Sequence, residues 1–473
     1  MKKLLISIIV LLLIQNVLYS QEHIAKTLYA SYYGNVGTDD ADVVTVDPMG
    51  NIYLGCHSTS KNLPGTPNHS YKLKGGMDAF IIKLDNQGTK VDYLTHLGGG
   101  KWDAIQGIVS DSKGNIYAVG TTYSSDFPIK SNAFQSKFGG KSDAFVVKLN
   151  PKGKVVWSTF LGGKKDEDGR GIVIDKQNNI HVIGRTASKN FPTTNNAIQP
   201  ESNGGIDAFV TSLDTNGNVL ASTYLGGAGN DIGFAIKSDS IGQLYIGGTT
   251  NSINFPLKNP IQSRNKGEDD AFLAVIDPTK SVIKFASYFG GNKVERLYSV
   301  DLDASGNVFI MGFTNSSDYP TTDGAYQPKF AGERDVFVTK LNLEKRKMEY
   351  STYIGGKKDD NPRNLAIDEK GNAFIIGYTG SNDFPIVNSQ KTYIRGSKDA
   401  FMTKLDVKGA FLHDSRLFGG NGDDFFEGLA IGTNGTLTVS GGSNSTDFPL
   451  VNPLQNTFLG GRFDIIVARF STK

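Results

Sequence analysis

Three things are scarce in this 473-residue sequence: cysteine, tryptophan and net charge. Cys56 is the only cysteine, so no intramolecular disulfide can form, and the fold must depend on burial and strand pairing. There are 49 basic and 47 acidic residues, and Lys2 and Lys3 account for the whole difference. This balance gives no drive toward nucleic-acid binding. Long helical periodicity is also missing, whereas 56 glycines favour many short strands joined by tight turns.

The N-terminus carries the one extended apolar run. After Lys2 and Lys3 come Leu4 to Ile14, followed by polar residues and a plausible cleavage point after Ser20. The run is shorter than the ~20 residues that a bilayer-spanning helix needs. We therefore predict a signal peptide over residues 1–20 and one domain over residues 21–473. The domain is expected to be periplasmic, on the cell surface or secreted, without a transmembrane anchor and as a monomer.

A 22-residue motif, SDAFVVKLNPKGKVVWSTFLGG at residues 142–163, recurs about every 64 residues. It consists of a β-rich apolar run, turn residues and a second apolar run that ends in a glycine pair, which is typical of a β-hairpin. The aspartate of the motif returns at Asp78, Asp143, Asp207, Asp270, Asp335, Asp399 and Asp464. Seven copies of one period indicate a repeat architecture.

Each repeat predicts four strands. In the copy used as a guide they cover residues 104–110, 115–120, 143–149 and 155–161. Sheets this small cannot bury both faces alone, but seven arranged radially bury one another. The prediction is thus an all-β, seven-bladed β-propeller of four-stranded antiparallel blades.

The ends of the chain predict how the ring closes. Residues 27–33 form a lone fourth strand, and residues 425–470 supply only the first three strands of a blade. Together they complete the seventh blade, which leaves no open sheet edge.

The ordered motifs STYLGG, D-x-x-G-N-x-Y, S-x-D-F-P and D-A-F-V-x-K-L resemble the bacterial β-propeller repeat called SBBP, over nearly the whole chain after residue 20. The resemblance implies an exported bacterial propeller, from a family without a settled general activity. Some copies depart from the pattern, with Leu63-Pro64 in place of Phe-Pro, Ile465-Ile466 in the last hairpin and Val275 at a usual lysine position.

One face of the ring is predicted to carry the long loops. The connection over residues 121–142 is long for a compact domain, and glutamine recurs in it eight residues before the aspartate of the motif. These loops form either a rim that protects the blade tops or a concave binding face. The recurring glutamines are Gln135, Gln199, Gln262 and Gln327.

The same face carries an acidic residue at the start of each innermost strand, six residues after the end of the preceding strand. Oxygen ligands that converge at the channel mouth would bind Ca²⁺ or another hard cation, which makes these residues candidate ligand-binding residues. The alternative is that each carboxylate caps backbone N–H groups or pairs with a neighbouring blade. The seven candidates, here called the acidic ring, are Asp39, Asp103, Glu167, Asp231, Glu295, Asp360 and Asp424.

No catalytic set is evident. Cys56 and His57 are adjacent, but neighbours in an extended strand point to opposite faces, so a buried thiol and a rim imidazole are expected. The six histidines show no metal-ligand spacing, and no nucleophile elbow or phosphate loop is present. Lys237 and Asp301 occupy equivalent inner-strand positions and are expected to form a structural ion pair.

These patterns favour a non-enzymatic exported propeller that binds a protein or glycan partner through its loop-rich face. An extended aromatic patch would support that function. A hydrolase or lyase acting on a polysaccharide or peptide is the alternative, and it requires one deep asymmetric pocket. A structural envelope protein would show neither. Four arginines are candidate anion contacts for the enzyme: Arg170, Arg185, Arg296 and Arg363.

Overall fold

The computed structural model describes residues 26–64, 73–130 and 133–472. All regular elements in these ranges are strands. No helix that could cross a membrane is found in the same ranges. The predicted signal peptide lies outside the described residues.

Twenty-eight strands of seven or eight residues make up the described fold. Their bounds in the first half of the chain are β1 (Lys26–Tyr33), β2 (Asp39–Val46), β3 (Ile52–Ser58), β4 (Asp78–Leu84), β5 (Val91–Leu97), β6 (Asp103–Ser110), β7 (Ile116–Thr122), β8 (Asp143–Leu149), β9 (Val155–Leu161), β10 (Glu167–Ile174), β11 (Ile180–Thr186), β12 (Asp207–Leu213), β13 (Val219–Leu225) and β14 (Asp231–Ser238). The second half contains β15 (Leu244–Thr250), β16 (Asp270–Asp277), β17 (Val282–Phe289), β18 (Glu295–Leu302), β19 (Val308–Thr314), β20 (Asp335–Asn342), β21 (Lys347–Ile354), β22 (Asp360–Ile367), β23 (Ala373–Thr379), β24 (Asp399–Leu405), β25 (Leu412–Phe418), β26 (Asp424–Ile431), β27 (Leu437–Ser443) and β28 (Asp464–Ser471).

The strands form seven four-stranded antiparallel sheets, six of which pair their strands in chain order. Blade 1 is β2 to β5, blade 2 is β6 to β9, and so on to blade 6, which ends with β25. Blade 7 has the order β26, β27, β28, β1, with Lys26 opposite Ser471. The seven-bladed propeller and its closure by the N-terminal strand are therefore confirmed, and β26 begins at Asp424, one residue earlier than predicted.

Both faces of the third strand in a blade are buried, as its sequence suggested. In β8, Phe145 and Val147 pack in one hydrophobic core, and Ala144 and Val146 pack in the next. Each sheet thus contributes one face to each of two interblade cores, which explains why these strands are apolar on both faces.

The Phe-Pro loops fold back onto the blades. Phe127 is buried, with its ring centroid 4.4 Å from that of Phe145. Phe191 and Phe209 repeat this contact at 4.5 Å in blade 3. The loops are on the same face as the connections that enter the inner strands, because all strands alternate in direction. This part of each loop therefore behaves as a structural rim.

Candidate binding site at the channel mouth

The first strands of the blades surround a central cavity of about 930 Å³. In an ideal strand, successive side chains would alternate between the two interblade cores. Each inner strand instead has a β-bulge at its third or fourth residue, where the register with the second strand shifts. A bulge turns the extra side chain away from the sheet pattern. The bulge residues accordingly line the cavity.

The seven bulge residues, called the bulge ring below, have unlike side chains on nearly identical backbones. They are Asp42, Gln106, Arg170, Phe234, Tyr298, Arg363 and Glu427. A repeat needs no such variety to close its ring. The bulge ring is therefore a position at which the seven blades differ in chemistry, with six residue types in seven copies.

Ion pairs neutralise part of this charge locally. Arg363 Nη2 lies 3.3 Å from Glu427 Oε1 across the interface of blades 6 and 7. In blade 3, Asp168 Oδ2 accepts from Arg170 Nη2 at 3.3 Å and from Arg185 Nε at 2.5 Å. One carboxylate of blade 3 thus serves two guanidinium groups.

Acidic groups gather where blade 7 meets blade 1. Burial, reinforced by Asp42, raises the pKa of Asp40 to about 6. Burial and the nearby Asp40 and Asp42 raise the pKa of Glu427 to about 8, although Arg363 opposes this change. Burial alone would lower the pKa of His57, but Asp42, whose Oδ2 lies 3.4 Å from Nδ1, raises it to about 9. The surroundings on this side of the mouth therefore raise the proton affinity of all three groups.

Aromatic side chains occupy the opposite side. The ring of Phe234 meets that of Tyr298 edge to face, with centroids 5.3 Å apart, and Tyr298 is 5.8 Å from Phe313. Arg170 places its guanidinium 4.9 Å from the Phe234 centroid. Such cation–π contacts hold the charged group in place beside the ring.

Arg363 continues this series into the next two blades. Its guanidinium lies 5.9 Å from the Tyr298 ring and 5.4 Å from the Tyr378 ring. Tyr378 is 4.8 Å from Phe425, which is 5.3 Å from Phe463. We call the six rings from blades 4 to 7 the aromatic arc: Phe234, Tyr298, Phe313, Tyr378, Phe425 and Phe463. All except Phe313 are half-buried.

The acidic ring of the sequence prediction lies inside the fold, not on the channel wall. All seven side chains are fully buried and none lines the central cavity. Asp103 is representative, since its Oδ2 accepts from Gly99 N at 2.8 Å and from Ser124 Oγ at 2.9 Å. Its Oδ1 accepts from Thr122 Oγ1. This is the capping arrangement that the sequence left as the alternative.

The donors on these oxygens do not suit a cation. Burial raises the pKa of Asp103, Asp231, Glu295 and Asp424 to about 6 and that of Asp360 to about 7, so the fold opposes the charged forms that would bind a cation. The pKa values of Asp39 and Glu167 are raised by burial as well. Across the described ranges, no group of three His, Cys, Asp or Glu side chains is placed to hold a metal ion. The calcium site stays a prediction, tested below.

Two smaller predictions are confirmed. Cys56 is fully buried, and its Sγ contacts Phe80 O at 3.4 Å, whereas His57 faces Asp42 at the channel. Burial raises the pKa of the thiol, which opposes nucleophilic behaviour. Lys237 and Asp301 form the expected ion pair, at 2.7 Å.

Sequence reasoning identified the arginines of the mouth and missed the residues between them. Arg170 and Arg363 are bulge residues, and Arg185 and Arg296 lie just above the bulge ring. Asp42, Gln106, Phe234, Tyr298 and Glu427 were not singled out. An alignment of the seven repeats could have identified them, because they share one position at which almost every copy has a different residue type.

Comparisons with known proteins agree with the repeat. A family model described as SBBP, Beta-propeller repeat, matches residues 93–128, 156–192 and 349–385. The regulatory protein FlaEY of Caulobacter vibrioides is 23% identical over 432 residues, which cover 88% of this chain and 44% of FlaEY. The chain thus spans less than half the length of that relative.

Solved structures also show similarity. The Pan2 WD40 domain of Neurospora crassa has a TM-score of 0.48 at 10% identity and is covered to 98%, against 95% of this chain. BamB of Moraxella catarrhalis has a TM-score of 0.38 at 11% identity, with 99% of that protein and 94% of this chain covered. The family model thus identifies SBBP beta-propeller repeats at three positions of this chain, each within the seven-bladed fold described above.

Proposed function

We propose that this protein is an exported, non-enzymatic binding module whose ligand or partner docks at the channel mouth on the loop-rich face. The observation that carries the proposal is the aromatic arc across blades 4 to 7. Aromatic and arginine side chains at a partly buried, concave surface are those that contribute most to recognition. The partner would be a protein segment or a glycan chain.

The cavity supports the same proposal. Its volume of about 930 Å³ lies within the range of roughly 300–1,000 Å³ that is usual for ligand pockets. Its wall is acidic near blades 7 and 1 and aromatic with guanidinium groups near blades 3 to 6, so a ligand would bind in one orientation. The export part rests on the leader pattern of residues 1–20.

The test is a binding screen of the purified protein against glycan and peptide arrays, followed by variants of the best ligand's site. Tyr298→Ala with Tyr378→Ala removes two half-buried rings of the arc. Phe411→Ala is the matched control, because this 40% exposed ring lies on a hairpin turn at the other end of blade 6. We expect the double variant to weaken binding and the control to leave it unchanged. Binding that is insensitive to the double variant would contradict the proposal.

Hydrolysis or elimination at the mouth is the second candidate, and the state of Glu427 favours it. Burial and the carboxylates of blade 1 raise the pKa of Glu427 to about 8 against the pull of Arg363, and a carboxyl group with a raised pKa is suited to act as a general acid. Incubation of the ligand found in the screen with wild type and with Glu427→Gln decides between the two functions. Turnover by the wild type that disappears in the variant would make the protein an enzyme.

A further inference from the structure

Arg296, the second residue of the inner strand of blade 5, carries a positive charge that no neighbouring carboxylate compensates. Equivalent positions in blades 3 and 5 make the contrast clear. In blade 3, Asp168 stands opposite Arg185 on the next strand, and the two form an ion pair. In blade 5, Arg296 stands opposite Phe313, which has no charge. Among the described residues the side chain of Arg296 has no hydrogen-bond or ion-pair partner, and its Nε is buried.

A second arginine lies against the same ring. The guanidinium of Arg334 is 4.2 Å from the Phe313 centroid, and that of Arg296 is 5.9 Å from it. Arg334 Nη1 donates to Asn361 Oδ1 at 2.7 Å, which fixes the direction of the guanidinium. Asp359 forms a long ion pair with Arg334, with Oδ1 3.8 Å from Nε, and its side chain is 42% exposed, so this carboxylate compensates the guanidinium only weakly. Phe313, only 4% exposed, therefore makes cation–π contacts with two guanidinium groups.

Two cations held in this way repel each other. Both are measured from one centroid, so the guanidinium carbons of Arg296 and Arg334 lie within about 10 Å of each other. That is no more than about one Debye length at 0.1 M salt, and half-burial reduces the screening further. Their buried Nε atoms are donors without acceptors. An oxyanion between them would remove the repulsion and accept from both guanidinium groups.

We infer that Arg296 and Arg334 form a subsite for the oxyanion of an acidic sugar, one that carries a carboxylate or a phosphate. The inference rests on the proposed binding function and specifies the ligand. Tyr298 is partly exposed, and its ring lies 5.8 Å from that of Phe313, which both guanidinium groups contact, so a second aromatic ring is close to the subsite. A pyranose offers an apolar face to that ring while its acidic substituent reaches the arginines. An acidic peptide side chain has the charge but lacks this flat apolar face.

Calorimetric titrations of the purified protein at low salt test this with four probes: glucuronate, glucose 6-phosphate, glucose and a hexaglutamate peptide. The variants are Arg296→Gln, Arg334→Gln and Arg296→Lys. Arg462→Gln is the matched control, because Arg462 is an exposed arginine on the same face that stacks on Phe463, away from Phe313. Thermal melts of all variants verify that each is folded.

We expect both acidic sugars to bind the wild type and glucose to bind much more weakly. Loss of either arginine should weaken binding by about tenfold, in line with a charge-assisted hydrogen bond. Arg296→Lys should retain part of the affinity, and Arg462→Gln should retain all of it. Equal binding of glucose, or an unchanged affinity in the glutamine variants, would overturn the subsite. Arginine-dependent binding of the peptide alone would overturn its assignment to sugars. A neutral glycan that binds through Tyr298 and Tyr378 would leave the proposed function intact while this inference fails.

Discussion

Stability should fall as the pH rises from 5 to 8, and Asp360 allows the effect to be measured at one site. Its carboxyl group is fully buried, and burial together with Asp335 raises its pKa from 3.8 to about 7. An acid with a raised pKa binds protons more tightly in the folded state, so its contribution is complete below pH 4 and is lost as the pH passes 7. For shifts of this size the loss between pH 5 and pH 8 is roughly 3 kcal/mol.

Asp360→Asn removes the titration while keeping the shape of the side chain. The amide oxygen can still accept from Gly356 N, now 2.6 Å from Oδ2, and the amide nitrogen can donate to the hydroxyl of Thr379. Relative to the wild type, the variant should gain about 3 kcal/mol in the free energy of unfolding between pH 5 and pH 8.

Urea unfolding at both pH values measures this difference. Glu369→Gln, at an exposed position on the first turn of the same blade, is the control and should show no comparable change. If the wild type were equally stable at pH 5 and pH 8, or the variant tracked it, Asp360 would be ionised in the fold and the reasoning from burial would be refuted.

Three further predictions rest on the structure, and a fourth rests on the sequence of the N-terminus. Because hydrogen-bond donors already occupy the acidic ring, millimolar Ca²⁺ should not raise the Tm measured with chelator; a rise that Asp231→Asn abolishes would establish a cation site instead. Phe255→Ala should cost about 3–5 kcal/mol in urea unfolding, since it empties a buried ring site that is 3% exposed. Lys237→Met should cost no more than about 1 kcal/mol, because the ion pair with Asp301 is 43% exposed on the lysine side; a larger loss would show that the pair is structurally essential. Residues 1–20 fused to a periplasm-dependent reporter enzyme should export it, and a reporter retained in the cytoplasm would contradict the predicted leader.

The propeller could be predicted because its signals repeat. The seven aspartates that start the third strands stand 63 to 65 residues apart, and their regular return gives blade number, strand order and closure without any knowledge of contacts. The pairing of β1 with β28 followed from counting strands at the two ends. The structural capping by Asp103 and its equivalents was the favoured alternative for the same reason, since a feature present in every blade serves the blade.

The channel mouth could not be predicted in this way, because it depends on where each inner strand bulges. A shift of one residue moves side chains between the core and the channel. The alternation of an ideal strand therefore predicts that Phe234 lies in the core. The bulge instead turns its ring toward the cavity, beside Arg170. Contacts between blades are a second obstacle. Arg334 and Asn361 are 27 positions apart, and no sequence pattern in either repeat predicts the hydrogen bond between them.

Pairing of the first strand with the last sets a minimum time for completing the ring. Tyr33 at the end of β1 cannot pair until Ile465 of β28, its partner in the sheet, has been synthesised. At translation rates of about 5–20 residues per second, the intervening chain takes roughly 20–90 s to make. Throughout that interval β1 has no partner strand, while blades 1 to 6 can form one after another. Synthesis therefore exposes one apolar strand, Leu28 to Tyr33, for longer than any other, which is where a chaperone or an aggregation contact would have the most time to act.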